Sequence, residues 1–591
     1  MESSIIRVLG NQIQRRLVTS SKSLIWRHRG CLSFSVSPSL HSENAQNIVK
    51  SDRELNLSTF KGVAITDYLF QDLGKWSNAV SMECSLTGRK YTHGEIYNYS
   101  RGFAAALQQM GYEKGDTLAI ALPNMPEYPI ITFGAWFSRL TVTLVNPTYT
   151  PFEIGKQLAD CQAKCIVTLP LFLPYILQAK SAYPFLASLK VIIIGEPQEG
   201  CHTFAEMLRV DSSSANLASS SDPDLNTEED VILLPYSSGT TGPPKGCMLT
   251  HSNLVMNCAQ TNATINALPF TDGNAQEIGL GLLPFFHIMA FQALGLITFT
   301  LGGKVLCLPR FEPETFIDCL KNNKLSIMHV VAPLFQFIIS HPELTKDEFS
   351  ECKTVFTGAC PTSRILIDKF LEKANKPILI QEGYGMTELS PLSHMILADS
   401  KNSKVGSVGP PIPGTEVKVV CPETGKALGP KEKGEIWIKG PQVMKGYFKN
   451  EEATKATITS DGWLRTGDIG LYEEDKHFYI VDRLKELIKV KGFQVSPSEL
   501  EATLRIHPAV ADVAVVGVPH NELGEAPRAF VVLKSSTVSE TEIADFLKDK
   551  LSSHKQLTGG VQFVEEIPKA PSGKILRREL KAAFLEGQGK A

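Results

Sequence analysis

The sequence predicts an α/β protein: a large N-terminal domain of layered α/β build that also carries a small β-rich unit, followed by a small α+β C-terminal domain. Three observations predict it. From about Leu55 to Val420, short apolar runs alternate with longer helix-patterned segments, the signature of strand and helix layers with largely parallel strands. Between Glu416 and Tyr479 the helical pattern gives way to strand-like runs separated by Gly and Pro. After Val481, helix and strand patterns alternate again in a compact tail.

In the first part, "DTLAIALP", "TVTLVNP", "AKCIVTLP" and "KVIIIG" read as buried strands, and Thr92 to Met110 as a helix. "VDSSSANLASSSDPDLNTEED", Val210 to Asp230, has the composition of a loose linker and leads into "DVILLPY", another buried strand. "IGLGLLPFFHIMAFQALGLITFTLGG", Ile278 to Gly303, carries no formal charge and is long enough to span a bilayer. Pro284, His287 and Gln292 interrupt it, so strand, polar turn and buried helix fit better than a transmembrane segment. "EVKVV", "GEIWIKG" and "HFYIV" supply the β-rich unit. In the tail, "SPSELEATLRIH" and "ETEIADFLKDKL" read as helices, and "VADVAVVGVP", "APRAFVVLK" and "VQFVEEIP" as strands. The domain boundary is expected near Asp482 to Lys485, giving 43–482 and 483–591.

A chain of 591 residues exceeds one compact domain. The net charge of -3 argues against an extended nucleic-acid surface, which needs clustered positive charge. Twelve cysteines without a C-x-x-C pair read as reduced thiols rather than a disulfide framework or zinc site. No feature specifies an oligomeric state. The leader is different: no acid occurs between Glu2 and Glu43, while Arg7, Arg15, Arg16, Lys22, Arg27 and Arg29 are interleaved with serines. That composition predicts a mitochondrial transit peptide over 1–42 and a matrix location; a basic tail on a cytoplasmic protein is the alternative. The C-terminus, "GQGKA", lacks the S-K-L peroxisomal address.

The most chemical stretch is "YSSGTTGPPKG", Tyr236 to Gly246. It is not a Walker A loop, because Pro244 falls where the second glycine is required and Gly246 follows Lys245. Its physics is still that of a phosphate cradle. Gly239, Gly242 and Gly246 let backbone N–H groups approach anionic oxygens, Ser237, Ser238, Thr240 and Thr241 offer hydroxyls, and Lys245 closes the loop.

Further stretches follow in order: "LLPFFHIMA", "TGACPTS", "QEGYGMTE", "GWLRTGDIG", "VDRLKELIKVKGFQVSPSELE" and "PKAPSGKILRREL". Together with the loop they resemble the adenylate-forming superfamily of acyl-CoA synthetases, 4-coumarate:CoA ligases and beetle luciferases, over nearly all of the chain after the leader. The resemblance implies two half-reactions. A carboxylate attacks the α-phosphorus of ATP and expels pyrophosphate; the acyl-adenylate then passes its acyl group to the thiol of coenzyme A, releasing AMP.

The resemblance also implies roles. The loop residues Ser237, Ser238, Gly239, Thr240, Thr241, Gly242 and Lys245 would hold the β- and γ-phosphates. Glu388 would carry Mg²⁺ against them, with Thr387 at the α-phosphate. Tyr384 and Gly385 would lie against adenine, Asp468 would accept both ribose hydroxyls, and Arg483 would be its ribose-side partner. Lys574 would bridge carboxylate and α-phosphate from a mobile C-terminal domain turning about Lys485. In the second step Lys489, Lys491, Gly492 and Gln494 would face the adenylate and the pantetheine arm. His287 would gate a substrate pocket walled by Ile288, Met289, Phe291, Gly358, Ala359, Gly383 and Pro391, which suits a medium-chain fatty acid or a compact aromatic acid. A luciferase-like adenylating oxygenase and a non-catalytic nucleotide-binding scaffold are the alternatives.

Overall fold

The computed structural model describes residues 47–237, 244–265, 275–358, 362, 364–397, 404, 406–491, 493–520, 522–534, 538–548, 550–570 and 573–588. The predicted leader, 1–42, lies outside them. Among the described residues no helix is long and apolar enough to cross a membrane.

Among the described residues the strands form four sheets. Thr117–Ala121, Thr141–Leu144, Ala163–Thr168 and Lys190–Ile193 are the buried runs of the first sheet, and they pair in parallel. Such strands are covered on both faces, which is why their sequences are apolar without alternation. A second sheet of eight strands runs in the spatial order Leu392–Met395, Leu379–Gly385, Thr354–Thr357, Ile327–His329, Ile278–Gly281, Lys304–Cys307, Val80–Cys84, Lys90–Thr92. The helix His93–Gln109 begins at a capping box between Thr92 and Glu95. Beside it Tyr128–Phe137 is buried on every side, as expected of a helix without a polar face. Phe133, Trp136, Phe291 and Phe299 join the core that unites these layers.

The β-rich unit is an antiparallel sheet in the order Val49–Lys50, Glu416–Val420, Gly434–Lys439, Leu464–Tyr472, Phe478–Arg483. The C-terminal domain has its own sheet, of Ile488–Val490, Phe493–Val495, Val510–His520, Gly524–Leu533 and Val561–Phe563, and its own apolar core.

Two expectations need correction. The serine-rich stretch Val210 to Asp230 has no helix or strand but is not loose. Ala218 N–H donates to the Phe137 carbonyl at 2.8 Å, Ser220 Oγ accepts from Ala64 N–H at 2.8 Å, and Arg139 pairs with Asp222. Backbone and side-chain hydrogen bonds do here what apolar burial does elsewhere. "ETEIADFLKDKL" is helical only over Glu540–Asp545.

The charge-free segment Ile278 to Gly303 is a strand, a turn and a helical stretch. The middle of that stretch, Phe291–Ile297, is a π-helical turn, a geometry that inserts a residue and is frequent at functional sites.

Candidate active site

Tyr236–Ser237 pairs antiparallel with Lys245–Thr250, setting Ser237 opposite Lys245. This two-stranded base brackets the hydroxyl- and glycine-rich loop, whose residues Ser238, Gly239, Thr240, Thr241 and Gly242 lie outside the described residues. Ser237 Oγ donates to Glu388 Oε1 at 2.9 Å and Tyr447 Oη donates to the same oxygen at 2.7 Å. Glu388 is 4% exposed. Lys245 Nζ stands 5.0 Å from the centre of the Tyr447 ring, within cation–π range. Tyr447 was not legible in the sequence, since its strand meets Lys245–Thr250 only through the fold.

Glu388 belongs to a tight turn, Thr387–Leu389, which follows the strand Leu379–Gly385. Met386 N–H donates to the Pro391 carbonyl at 2.9 Å. At Gly385 a Cβ would meet that carbonyl oxygen at 2.0 Å, so the turn closes only over glycine. Tyr384 Oη donates to Asp468 Oδ2 at 2.6 Å, and Arg483 Nε pairs with Asp468 Oδ1 at 3.1 Å. Asp468 and Arg483 face each other on antiparallel strands. Burial raises the Asp468 carboxyl above its ordinary value, and the Arg483 charge limits the rise.

Lys574 comes to this group from the C-terminal domain. Burial is the main cause that lowers its ammonium from the ordinary lysine value; Arg483 lowers it further, while Glu486 and Asp468 oppose. Its loop turns through Gly573 at φ +82°, where a Cβ would lie 3.6 Å from Pro333 of the large domain. Ala570 N–H donates to the Lys574 carbonyl at 2.8 Å. Three residues on, the half-buried Arg577 bridges Glu486 and Glu501, an anchor that motif spacing did not disclose.

Lys489 and Lys491 sit elsewhere, at the exposed hairpin that joins Ile488–Val490 to Phe493–Val495. Lys489 N–H donates to Glu525 Oε2 at 3.1 Å. Gly492 and the Gln494 side chain lie outside the described residues. Lys485 is exposed, just past the last strand of the β-rich unit.

Beside Tyr384 opens a cavity with a mostly apolar wall. Met289, Gly358, Gly383 and Pro391 line it, and Ile265, Gln292, Ile297, His329, Phe356 and Met395 add to its wall. Gly358 and Gly383 press together: a Cβ at Gly358 would meet the Gly383 carbonyl oxygen at 2.9 Å. His287, Ile288 and Phe291 do not line it, and Phe291 is buried in the main core. Ile288 turns into the core, and His287 Nδ1 accepts from Met289 N–H at 3.3 Å, capping the helical stretch that walls the cavity. Burial lowers the His287 imidazole from its ordinary value. Ala359 lies outside the described residues.

An apolar cavity walled by Tyr384, whose hydroxyl holds a buried carboxylate within electrostatic reach of a lysine from the C-terminal domain, suits one class of protein, the AMP-forming acid–thiol ligases. Residues 70–448 match the model of AMP-binding enzymes and 499–574 that of the AMP-binding enzyme C-terminal domain. The chain belongs to this adenylate-forming family and is an acyl- or aryl-CoA ligase that uses ATP and coenzyme A. A 4-coumarate–CoA ligase of Solanum tuberosum is 38% identical over 89% of this chain and 95% of its own length. One of Arabidopsis thaliana is 37% identical over 89% and 93%. ATP-bound MatB from Rhodopseudomonas palustris superposes with a TM-score of 0.77 at 26% identity, covering 88% of this chain and 98% of that one. An o-succinylbenzoate CoA synthetase of Bacillus subtilis with its acyl-adenylate gives 0.73 at 25%, over 87% and 98%.

Proposed function

We propose that the enzyme activates an apolar-bodied monocarboxylic acid, a 4-coumarate-like aromatic acid or a medium-chain fatty acid, and transfers it to coenzyme A. The observation that carries this reading is the apolar cavity beside Tyr384, walled by Met289, Ile297, Phe356, Leu392 and Met395. Its described lining contains no Lys, Arg, Asp or Glu, so a second carboxylate would lose its hydration without gaining a counter-ion. The names of the relatives, 4-coumarate–CoA ligases, favour the aromatic acid.

In the first half-reaction two anions must meet. Lys574, within electrostatic reach of Asp468 and Arg483, offers the positive charge that offsets the two reactants' repulsion as the acid's oxygen bonds to the α-phosphorus and pyrophosphate leaves. Thr387 stands at the α-phosphate, Asp468 and Arg483 at the ribose, Tyr384 and Gly385 at the base. Ser237, Lys245 and the loop between them hold the departing pyrophosphate.

The residues present suit Mg²⁺. Glu388 already receives two hydroxyl donors on Oε1, while no hydrogen bond among the described residues engages Oε2. Among the described residues no three-carboxylate or histidine cluster could cage the ion, so it would be held by Glu388 and the substrate phosphates, the usual Mg²⁺ arrangement. When bound, it neutralises phosphate charge.

In the second half-reaction the domain 483–591 turns about Lys485, withdrawing Lys574 and presenting the Lys489–Gln494 hairpin. The thiol sulfur then bonds to the acyl carbon and AMP departs with the former carboxylate oxygen. Exclusion of water during each state protects the adenylate from hydrolysis. The leader 1–42 directs the protein to the mitochondrial matrix, which an import assay with N-terminal sequencing of the product checks.

The test is acid-dependent ATP–pyrophosphate exchange, followed by thioester formation on addition of coenzyme A, across cinnamic, benzoic and straight-chain acids. Exchange and thioester with an aromatic or C6–C12 acid are expected. Thioester from none of them overturns the reading.

A further inference from the structure

The central strand Ile327–His329 of the eight-stranded sheet ends on a histidine that no motif singles out. His329 lines the cavity beside Tyr384, is 5% exposed, and stacks on Phe356, its register partner, at 5.1 Å and 19°. Its Nδ1 is buried without a hydrogen-bond partner, and no described residue bonds Nε2. The other fully buried histidines differ. His93 Nε2 bonds the Gly303 carbonyl, His251 Nδ1 accepts from Ile65 N–H, and His394 Nδ1 bonds Ser393 Oγ.

The remaining polar groups of the cavity are also engaged. Thr261 Oγ1 donates to the Asn257 carbonyl at 2.7 Å, Gln292 Nε2 to Asn257 Oδ1 at 2.8 Å, and Thr298 Oγ1 to the Ala293 carbonyl at 2.9 Å. His329 alone among the described polar side chains of the wall makes no hydrogen bond. Buried polar groups rarely stay so without a role. Burial pushes the imidazole down to about 4, so it is neutral at physiological pH, with one N–H donor and one bare nitrogen acceptor.

We propose that His329 is a specificity-determining residue: it hydrogen-bonds an uncharged oxygen substituent, hydroxyl or oxo, on the body of the acid, and so selects oxygenated acids over their bare analogues. This rests on the reading that the cavity holds the acyl group. A wall that hydrogen-bonds a substrate hydroxyl rejects the analogue lacking it far more strongly than an apolar wall can distinguish size, because the missing group leaves the protein's own donor or acceptor unpaired.

The test measures binding, so it stands apart from turnover. Matched acids, 4-hydroxycinnamate against cinnamate and 10-hydroxydecanoate against decanoate, are titrated into the full chain saturated with a non-hydrolysable ATP analogue. Wild type is expected to prefer the oxygenated member of at least one pair by about 10-fold or more, and His329→Phe to narrow that preference to within about 3-fold. His329→Gln, which keeps a donor and an acceptor, is expected to retain part of it. In wild type labelled with ¹⁵N-histidine, the oxygenated acid is expected to shift the His329 ring resonances while the bare acid does not, a readout that needs no variant to fold. Equal affinities in wild type, an unchanged preference in His329→Phe, or unmoved ring resonances would overturn the proposal. Thioester formation measured in parallel separates the two readings: a ligase indifferent to His329 sinks only this one, whereas selective binding without thioester sinks only the ligase substrate reading.

Discussion

Asp468 and Arg483 stand opposite each other on neighbouring antiparallel strands, Oδ1 to Nε at 3.1 Å, with the Tyr384 hydroxyl closing on the other carboxylate oxygen at 2.6 Å. The carboxylate is thus oriented before any nucleotide arrives. Asp468→Asn keeps the shape but weakens both charge-assisted contacts. It is expected to raise the Kd for ATP at least 10-fold, in line with about 1.5–3 kcal/mol for a hydrogen bond to a charged group. Titration of the variant with ATP checks this.

Lys574→Ala is expected to cut ATP–pyrophosphate exchange by about 10² or more, the scale of losing one electrostatic stabiliser of a transition state. Thioester formation from pre-made acyl-adenylate should be nearly unchanged. Because the free-enzyme ammonium is held below the ordinary lysine value, its proton is lost earlier as pH rises. The alkaline limb of kcat/KM for ATP should therefore fall below the usual lysine range and vanish in the alanine variant. An identical pH profile in both proteins would refute the assignment.

Glu382 is 4% exposed, its Oε2 lacks a partner, and burial raises its carboxyl to about 7 from an ordinary 4.5. Below the unfolded value both states hold the proton and the cost is nil. As pH climbs toward and past 7, the native state must surrender a proton in a place that disfavours the charge, costing at most about 3 kcal/mol. Glu382→Gln should melt higher than wild type at pH 8 and indistinguishably from it at pH 4.5. Equal melting temperatures at pH 8 would dispose of this account.

Arg577 holds Glu486 and Glu501 together within the C-terminal domain. Removing it strands the 3%-exposed Glu501 side chain without its main counter-charge, and breaking a buried pair in this way costs about 3 kcal/mol or more. Arg577→Met should destabilise the C-terminal domain and slow adenylation more than thioester transfer, since Lys574 lies three residues away. Chemical denaturation followed by a probe in that domain measures the first effect, and the two half-reactions measured separately the second.

What could be read in the sequence was local. Strands such as Thr117–Ala121 and Ala163–Thr168 declare themselves because a fully covered strand leaves an unbroken apolar run. The helix at His93 declares itself through Thr92 and Glu95. The contacts that build the site are not local. Tyr384 and Asp468 are 84 residues apart, and Ser237 and Glu388 are 151 apart, so their meeting depends on which strands pair. Tyr447 and Arg577 carry ordinary residue types in ordinary surroundings and gain meaning only from their partners. His329 was hidden for a further reason: a lone histidine in an apolar strand reads as core until its ring is found without a partner. Val210 to Asp230 misled in the opposite sense, its polar composition masking a web of hydrogen bonds and an ion pair.

The π-helical turn Phe291–Ile297 shares one chain between two surfaces. Gln292, Ala293 and Ile297 face the cavity, whereas Phe291, Gly295 and Leu296 line the small void next to Tyr128. Excising a single residue would tighten this stretch to ordinary α geometry and turn every side chain beyond it by roughly 100°, exchanging wall for interior at one stroke. Diversification of acid choice in such a scaffold can thus proceed by changes of length as well as of residue type, while Glu388, Asp468 and Lys574 are left where they stand.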